Sequence, residues 1–303
     1  MWSPDDLDIQ IIKALASPHS FQWDVRISNA HVAKGLDVDE ETVRNRLRHM
    51  KESGFLQGWE LAINPIILDR EAAIVELQVD DPKTKLRAIS ELKLMENVTI
   101  IENFYGKELA VHIMFGKEDT LIRQVKLISL ISGSLTPPVW WRESFPPCGM
   151  IPTKTDWLII KALRENARGR LSDVAKYLNI SNRTVKRHMQ KLVEGNVFYL
   201  NPLLDPGKSG GLQCRFLIVS EASKKQMIDT AVRSMIPRII SIHTASPEYS
   251  LLNVHCENAL MMQEIHQWLK NFDGIKEVHS NIEMEFIYVH DWIVDEIQQK
   301  LST

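Results

Sequence analysis

Cysteine is scarce in this chain. Its 303 residues include three, Cys148, Cys214 and Cys256, far apart and without a CxxC spacing. A zinc ribbon or a disulfide framework needs more thiols at closer spacing, so these are expected to be buried free thiols. Long apolar runs are missing too. None approaches the roughly 20 residues that span a bilayer, and the opening MWSPDDLD is acidic where a secretory leader would be basic and then apolar. A cytoplasmic, membrane-independent protein is the expectation. There is no surplus of positive charge: 36 Lys and Arg stand against 39 Asp and Glu. A nucleic-acid binder of this composition must therefore cluster its bases locally. Catalytic signatures are also lacking. No HExxH and no Ser-His-Asp order occurs, and GKSGG (207–211) lacks the strand-loop-helix context of a phosphate loop and reads as a turn. Lone histidines on predicted strands, such as His112, His243 and His255, are expected to be packed or solvated. No metal, cofactor or enzymatic activity is expected.

What is present is a repeat. IIKAL occurs at 11–15 and again at 159–163. VAKGLDVDEETVRNRLRHM from Val32 is answered by VAKYLNISNRTVKRHMQKL from Val174, and Asn64-Pro65 by Asn201-Pro202. The offset is 148 (159 minus 11), then 142 (174 minus 32), then 137 (201 minus 64). Ordered blocks with a drifting offset indicate one unit duplicated end to end. At 303 residues, about two domains or two pairs of subdomains are expected.

Each copy opens with three short helices. Ile9, Ile12 and Leu15 fall at helical spacing, predicting an amphipathic helix from about Asp5 to Ala16; Trp157, Ile160 and Leu163 repeat it. Ser28 and Ser172 read as N-caps of a short second helix, and Asp39 and Ser181 as N-caps of a longer third. Two helices joined by a tight turn at this spacing make a helix-turn-helix. On the third helix Val43, Leu47 and Met50, and in the second copy Val185, Met189 and Leu192, form the core face. The opposite face carries Glu40, Glu41, Arg44, Asn45 and Arg48 in the first copy and Asn182, Arg183, Lys186, Arg187 and Gln190 in the second; Thr42 and Thr184 join the arginines, Asn45, Lys186 and Gln190 as candidate DNA contacts. Such side chains reach phosphates and base edges when a helix lies in the major groove. One such face alone is equally a solvated surface; two, each preceded by the right helix and turn, favour DNA. The copies differ in charge. From Asp37 to Lys51 four acids cancel four bases, whereas from Asn179 to Glu194 four bases face only Glu194. The second copy should supply more of the phosphate affinity. GFLQGWELAINP (54–65) reads as a two-stranded wing, and NVFYLNP (196–202) as a vestigial one.

Beyond each Asn-Pro the period changes to that of strands rich in β-branched residues. Both halves then read strand-helix-strand-strand-helix-strand, a ferredoxin-like α+β order. Helices cover one face of such a sheet, and the natural cover for the other is a second copy: the other half, giving an intrachain pseudo-dimer open to further homo-oligomerisation, or the equivalent sheet of a second chain. The expected modules are 1–66 and 148–205 for the helix-turn-helix domains and 67–147 and 206–303 for the sheet domains. PPCGMIP (146–152) is the linker, and an extra helix runs from about Asp291 to Leu301.

The blocks LDIQIIKAL, VAKGLDVDEETVRNRLRHMKESGFLQGW with its INP, TDWLIIKAL and LSDVAKYLNISNRTVKRHMQKLVEG resemble the Lrp/AsnC (leucine-responsive, feast/famine) transcription regulators, twice over. The resemblance implies a double-stranded-DNA-binding regulator with an effector, such as an amino acid, near the turn between the second and third strands. Tyr105, Gly106 and Glu108 occupy that turn in the first half. The second half has Ser246-Pro247-Glu248-Tyr249 and no glycine. Family members carry one unit per chain; here two are fused. The sirohaem decarboxylases also resemble these regulators, but their Arg-Arg-x-Gly-Ala stretch is replaced by GFLQGWELA and NVFYLNPLL. A scaffold with degenerate helix-turn-helix domains is the other alternative, kept open by the acidic first recognition helix.

Overall fold

The computed structural model describes residues 2–15, 27–134, 136–165, 167–244, 246–289 and 291–302. The first half runs α1 (Asp6–Leu15), α2 (Asn29–Gly35), α3 (Glu40–Glu52), β1 (Leu56–Ile63), β2 (Glu71–Gln78), α4 (Pro82–Leu92), β3 (Val98–Phe104), β4 (Glu108–Phe115), α5 (Glu118–Ser132) and β5 (Val139–Glu143). The second runs α6 (Lys154–Glu165), α7 (Leu171–Tyr177), α8 (Asn182–Glu194), β6 (Phe198–Leu204), β7 (Leu212–Ser220), α9 (Lys225–Met235), β8 (Ile239–Thr244), β9 (Tyr249–Cys256), α10 (Ala259–Lys270), β10 (Ile275–Tyr288) and α11 (Asp291–Ser302). Ala16, where the first helix was expected to end, lies outside the described residues.

Three of the four expected caps form. Ser28, Asp39 and Ser181 accept from the backbone N–H of His31, Thr42 and Thr184, satisfying donors that a helix start leaves unpaired. Ser172 does not cap α7. The helix begins two residues earlier, at Leu171 after Arg170, whose side chain makes no capping bond. Asp37 and Asn179 end the second helices with φ of 55° and 53°, the left-handed conformation that short polar residues tolerate best.

The expected hairpin wing is absent. Each extended stretch is a single strand, and the two pair with each other: β1 lies antiparallel to β6, with Leu61 opposite Leu200 and Ile63 opposite Phe198. A lone strand exposes unpaired backbone groups on both edges, and the copy from the other half is the nearest complement. The repeat register also changes. Asn201-Pro202 lies inside β6, whereas Asn64-Pro65 opens a 3-10 turn in which the Asn64 side chain accepts from the N–H of Ile66. Its counterpart is Asp205-Pro206, where the Asp205 side chain accepts from the N–H of Gly207. That offset is 141 (206 minus 65), close to the helix-turn-helix offset, so little drift occurs here.

Eight strands form one sheet in the order β5-β2-β4-β3-β10-β7-β9-β8. Each half is a four-stranded ferredoxin-like sheet, and β3 and β10 join them antiparallel, with Glu102 opposite Phe286. The faces away from the helices meet. Ile74, Phe104, Ala110 and Trp141 of the first half pack with Leu217, Leu251 and Tyr249 of the second, and the Trp141 and Tyr249 rings stack with centroids 5.5 Å apart at 10°.

The helix-turn-helix domains are crossed over. α1 to α3 share a core with Ile240 of β8, in the second sheet. Arg238 before β8 ion-pairs with Asp6 at 3.4 Å. α6 to α8 instead share a core with β1, the first sheet and α11. The Trp292 indole donates to the Val98 carbonyl at 2.6 Å, and Arg70 ion-pairs with Glu296. The linker is held as well: the buried Asn64 amide donates to the carbonyls of Pro146 (3.0 Å) and Asn196 (2.8 Å).

Candidate nucleic-acid interface

In both helix-turn-helix domains the third helix is fixed from below by an acid on the first. Arg46 of α3 reaches Asp5 at 2.6 Å and Asp8 at 3.4 Å. In the second domain the His188 Nδ1 of α8 lies 2.6 Å from Asp156 of α6. Asp8 and Asp156 are both buried. Burial raises the pKa of Asp8, and the Arg46 guanidinium opposes that shift.

The apolar faces stand as expected: Val43, Met50, Val185, Met189 and Leu192 are buried, and Leu47 is half-buried against the first domain's core. Arg44, Asn45, Arg48, Arg183, Lys186, Arg187 and Gln190 are all exposed. The two exposed faces nevertheless differ in chemistry. On α3 the acids neutralise the bases within the helix. Arg44 contacts Glu40 at 2.9 Å and Glu41 at 2.6 Å; Arg48 bonds the side chain of Asn45 and lies 3.9 Å from Glu41. On α8 no ion pair involves Arg183, Lys186 or Arg187 among the described residues; Gln190 donates to Glu194 at 2.8 Å. The two threonines serve the caps. The Thr42 hydroxyl donates to Asp39 at 3.0 Å, and that of Thr184 lies 2.8 Å from the Ser181 hydroxyl.

The proposed effector turn is tightly built. Gly106 has φ of 88°, and a side chain there would meet the Glu108 carboxylate. Glu108 accepts from the Lys107 N–H at 3.1 Å, the Lys85 ammonium donates to the Gly106 carbonyl at 3.0 Å, and the Tyr105 ring is exposed. Tyr249, in the corresponding second-half stretch, turns inward onto Trp141.

Sequence reading missed a buried charge network between the sheets, because one-sided strand patterns do not reveal which inward polar residues meet. Arg215 of β7 donates to Glu102 of β3 at 2.7 Å and also bonds Glu76 of β2. His112 of β4 lies 2.7 Å from Glu102 and 3.6 Å from Glu143. Burial disfavours the charged imidazole, but hydrogen bonds to Glu102 and Glu143 outweigh it and push the pKa up to about 10. Glu283 of β10 is buried beside this network, and burial, reinforced by Glu102, holds its pKa well above the carboxylate range against the pull of Arg215. The His243 side chain lies outside the described residues. Cys214 and Cys256 are buried free thiols, and Cys148 is half-buried and free. Among the described residues no helix is long and apolar enough to cross a membrane.

A winged helix-turn-helix DNA-binding family matches residues 152–197, the domain with the uncompensated recognition helix. An uncharacterised HTH-type transcriptional regulator of Pyrococcus horikoshii is 33% identical over 26% of this chain and 44% of its own length. The match thus spans less than half of that relative. HTH-type transcriptional regulator Ptr1 of Methanocaldococcus jannaschii is 28% identical over 38% of this chain and 73% of its own length. The solved structure of the siroheme decarboxylase NirDL covers 98% of this chain and 99% of its own at 10% identity, with a TM-score of 0.57. That likeness is one of fold and extends over both units. The chain thus carries a helix-turn-helix domain before each of two ferredoxin-like sheets, with a DNA-binding-domain match in the second and a two-unit fold like that of NirDL over its whole length.

Proposed function

We propose that the chain is a sequence-specific, double-stranded-DNA-binding transcription regulator in which α8 supplies most of the phosphate affinity. One observation carries this: among the described residues Arg183, Lys186 and Arg187 project from α8 without acid partners, whereas the arginines of α3 are neutralised by Glu40 and Glu41. Free cations gain phosphate contacts and release counterions; paired ones must first give up a partner. On α3, Arg44, Asn45 and Arg48, with Thr42 at the helix start, are assigned to base and backbone contacts of a second, different half-site. On α8, Arg183, Thr184, Lys186, Arg187 and Gln190 take that role. The domain limits 1–66, 67–147, 148–205 and 206–303 belong to this reading. So does an amino-acid effector at Tyr105, Gly106 and Glu108, whose exposed ring and half-buried carboxylate suit a small zwitterion.

Selection of binding sites from random duplex DNA, followed by salt titration of the recovered sequence, tests the proposal. A recurrent motif with steep salt dependence is expected. Recovery of random sequences with no salt-sensitive affinity would sink it and favour a scaffold. The full-length likeness to a decarboxylase favours one other reading, a tetrapyrrole enzyme. Titration with an iron porphyrin separates the two, since a regulator leaves the absorbance of the added porphyrin unshifted.

A further inference from the structure

Six buried side-chain polar atoms without a hydrogen-bond partner share one patch: Gln213 Oε1, Arg215 Nε, Asn253 Oδ1, His255 Nδ1 and both carboxylate oxygens of Glu283. Strand register brings them together. On β7 and β9, Gln213 stands opposite His255 and Arg215 opposite Asn253; on β10, Asn281 stands opposite Arg215. Glu283, two residues along β10, falls beside Gln213 on the same face. The alternate residues Cys214, Phe216, Val254 and Cys256 belong to the core under α9 and α10, so the polar set faces away from the helices, on the side turned toward the other half's sheet. Burial is nearly complete: Gln213 is 3% exposed, Arg215 1%, His255 0% and Glu283 4%.

Their chemistry is one-sided. His255 Nε2 lies 3.1 Å from the Ser209 carbonyl, which can only accept, so Nε2 carries the hydrogen and Nδ1 offers a lone pair. The Asn253 amide donates to the Ser241 hydroxyl at 3.0 Å and leaves its oxygen inward. The patch therefore presents the acceptors Gln213 Oε1, Asn253 Oδ1 and His255 Nδ1 and one N–H donor, Arg215 Nε, around the Glu283 carboxyl, which burial pushes toward its neutral form. The guanidinium of Arg215 is already matched by Glu76 and Glu102, so ionising Glu283 calls for a further cation. Buried acceptors without donors are costly, so a cluster of them on one surface calls for an occupant rich in N–H groups. Among the described residues no group of His, Cys, Asp and Glu is arranged to hold a metal ion. One carboxylate ringed by amide oxygens suits an ammonium group instead.

We propose that this patch binds a small organic cation through a primary ammonium group, whose hydrogens are taken by Glu283, Gln213 and Asn253. The patch adjoins the first helix-turn-helix domain, since β8 next to β9 carries Ile240 in that domain's core.

Isothermal titration of the intact chain with ethylammonium chloride, against sodium chloride and sodium propionate, tests it without DNA. Failure here therefore leaves the regulator reading standing, and failure of DNA binding leaves this site standing. Saturable one-to-one binding of ethylammonium alone is expected. Glu283→Gln, which keeps the shape and removes the charge, should weaken it by about tenfold or more, and Asn253→Asp, which adds a second carboxylate, should tighten it. Ethylammonium behaving like sodium, propionate binding as well as the amine, or unchanged affinity in either variant would overturn the proposal.

Discussion

Arg215 on β7 donates to Glu102 on β3 at 2.7 Å, across the line where the two half-chain sheets join. The contact depends on the halves being unlike. At the offset of 141 set by Pro65 and Pro206, Arg215 corresponds to Ile74 and Glu76 to Leu217. Two first halves pairing together would bury Glu102 with no arginine; two second halves would leave each Arg215 with Glu283 and neither Glu76 nor Glu102. Only the unlike pair brings Arg215 to Glu76 and Glu102.

Removing Arg215 should therefore be costly. Arg215→Ala leaves the buried Glu102 and the half-buried Glu76 beside Glu283 without their cation, and the loss of unfolding free energy should reach about 3–5 kcal/mol. Replacing Arg215, Glu76 and Glu102 together with apolar residues of similar size should cost far less. Urea unfolding of both variants checks this; equal losses would contradict it.

The recognition helices should be separable by salt. The triple variant Arg183→Ala/Lys186→Ala/Arg187→Ala should bind its selected duplex more weakly and lower the slope of log affinity against log salt by up to about 3. Arg44→Ala/Arg48→Ala should change the slope by less, because Glu40 and Glu41 already neutralise those arginines. Fluorescence anisotropy across a salt series reads both. Equal slopes for the two variants would contradict the assignment.

Asn64 and Asn201 should differ sharply despite their matching Asn-Pro sequences. Asn64→Ala loses two bonds to the carbonyls of Pro146 and Asn196 and one from the Ile66 N–H, for about 2–3 kcal/mol. Asn201→Ala, within β6, should cost under about 1 kcal/mol. Thermal unfolding of the two single variants checks the order.

Glu60 predicts a pH dependence. Burial, only partly offset by Arg164, raises its pKa from 4.5 to about 7. Between those values the folded chain holds a proton that the unfolded chain has released, so this group's contribution to stability falls as pH rises from 4.5 to 7 and then levels off. Glu60→Gln should remove that slope. Denaturant midpoints measured from pH 5 to pH 8 for the parent and the variant decide it; an identical slope in both would rule Glu60 out.

Much of this was legible in the sequence because it is local. Caps at Ser28, Asp39 and Ser181, the 3.6-residue stripes of α1, α3 and α8, and the two-residue alternation of the strands depend on neighbours a few residues away. The charge contrast between the recognition helices is local too, since Glu40 and Glu41 meet Arg44 across a single turn. The pairing of β1 with β6, the crossing of each helix-turn-helix domain onto the opposite sheet, and the meeting of Arg215 with Glu76 and Glu102 were not legible. They join residues more than a hundred positions apart, and many partners satisfy the same hydrophobic pattern. The tertiary fold chose among those partners by closing the open strand edges and pairing the buried charges.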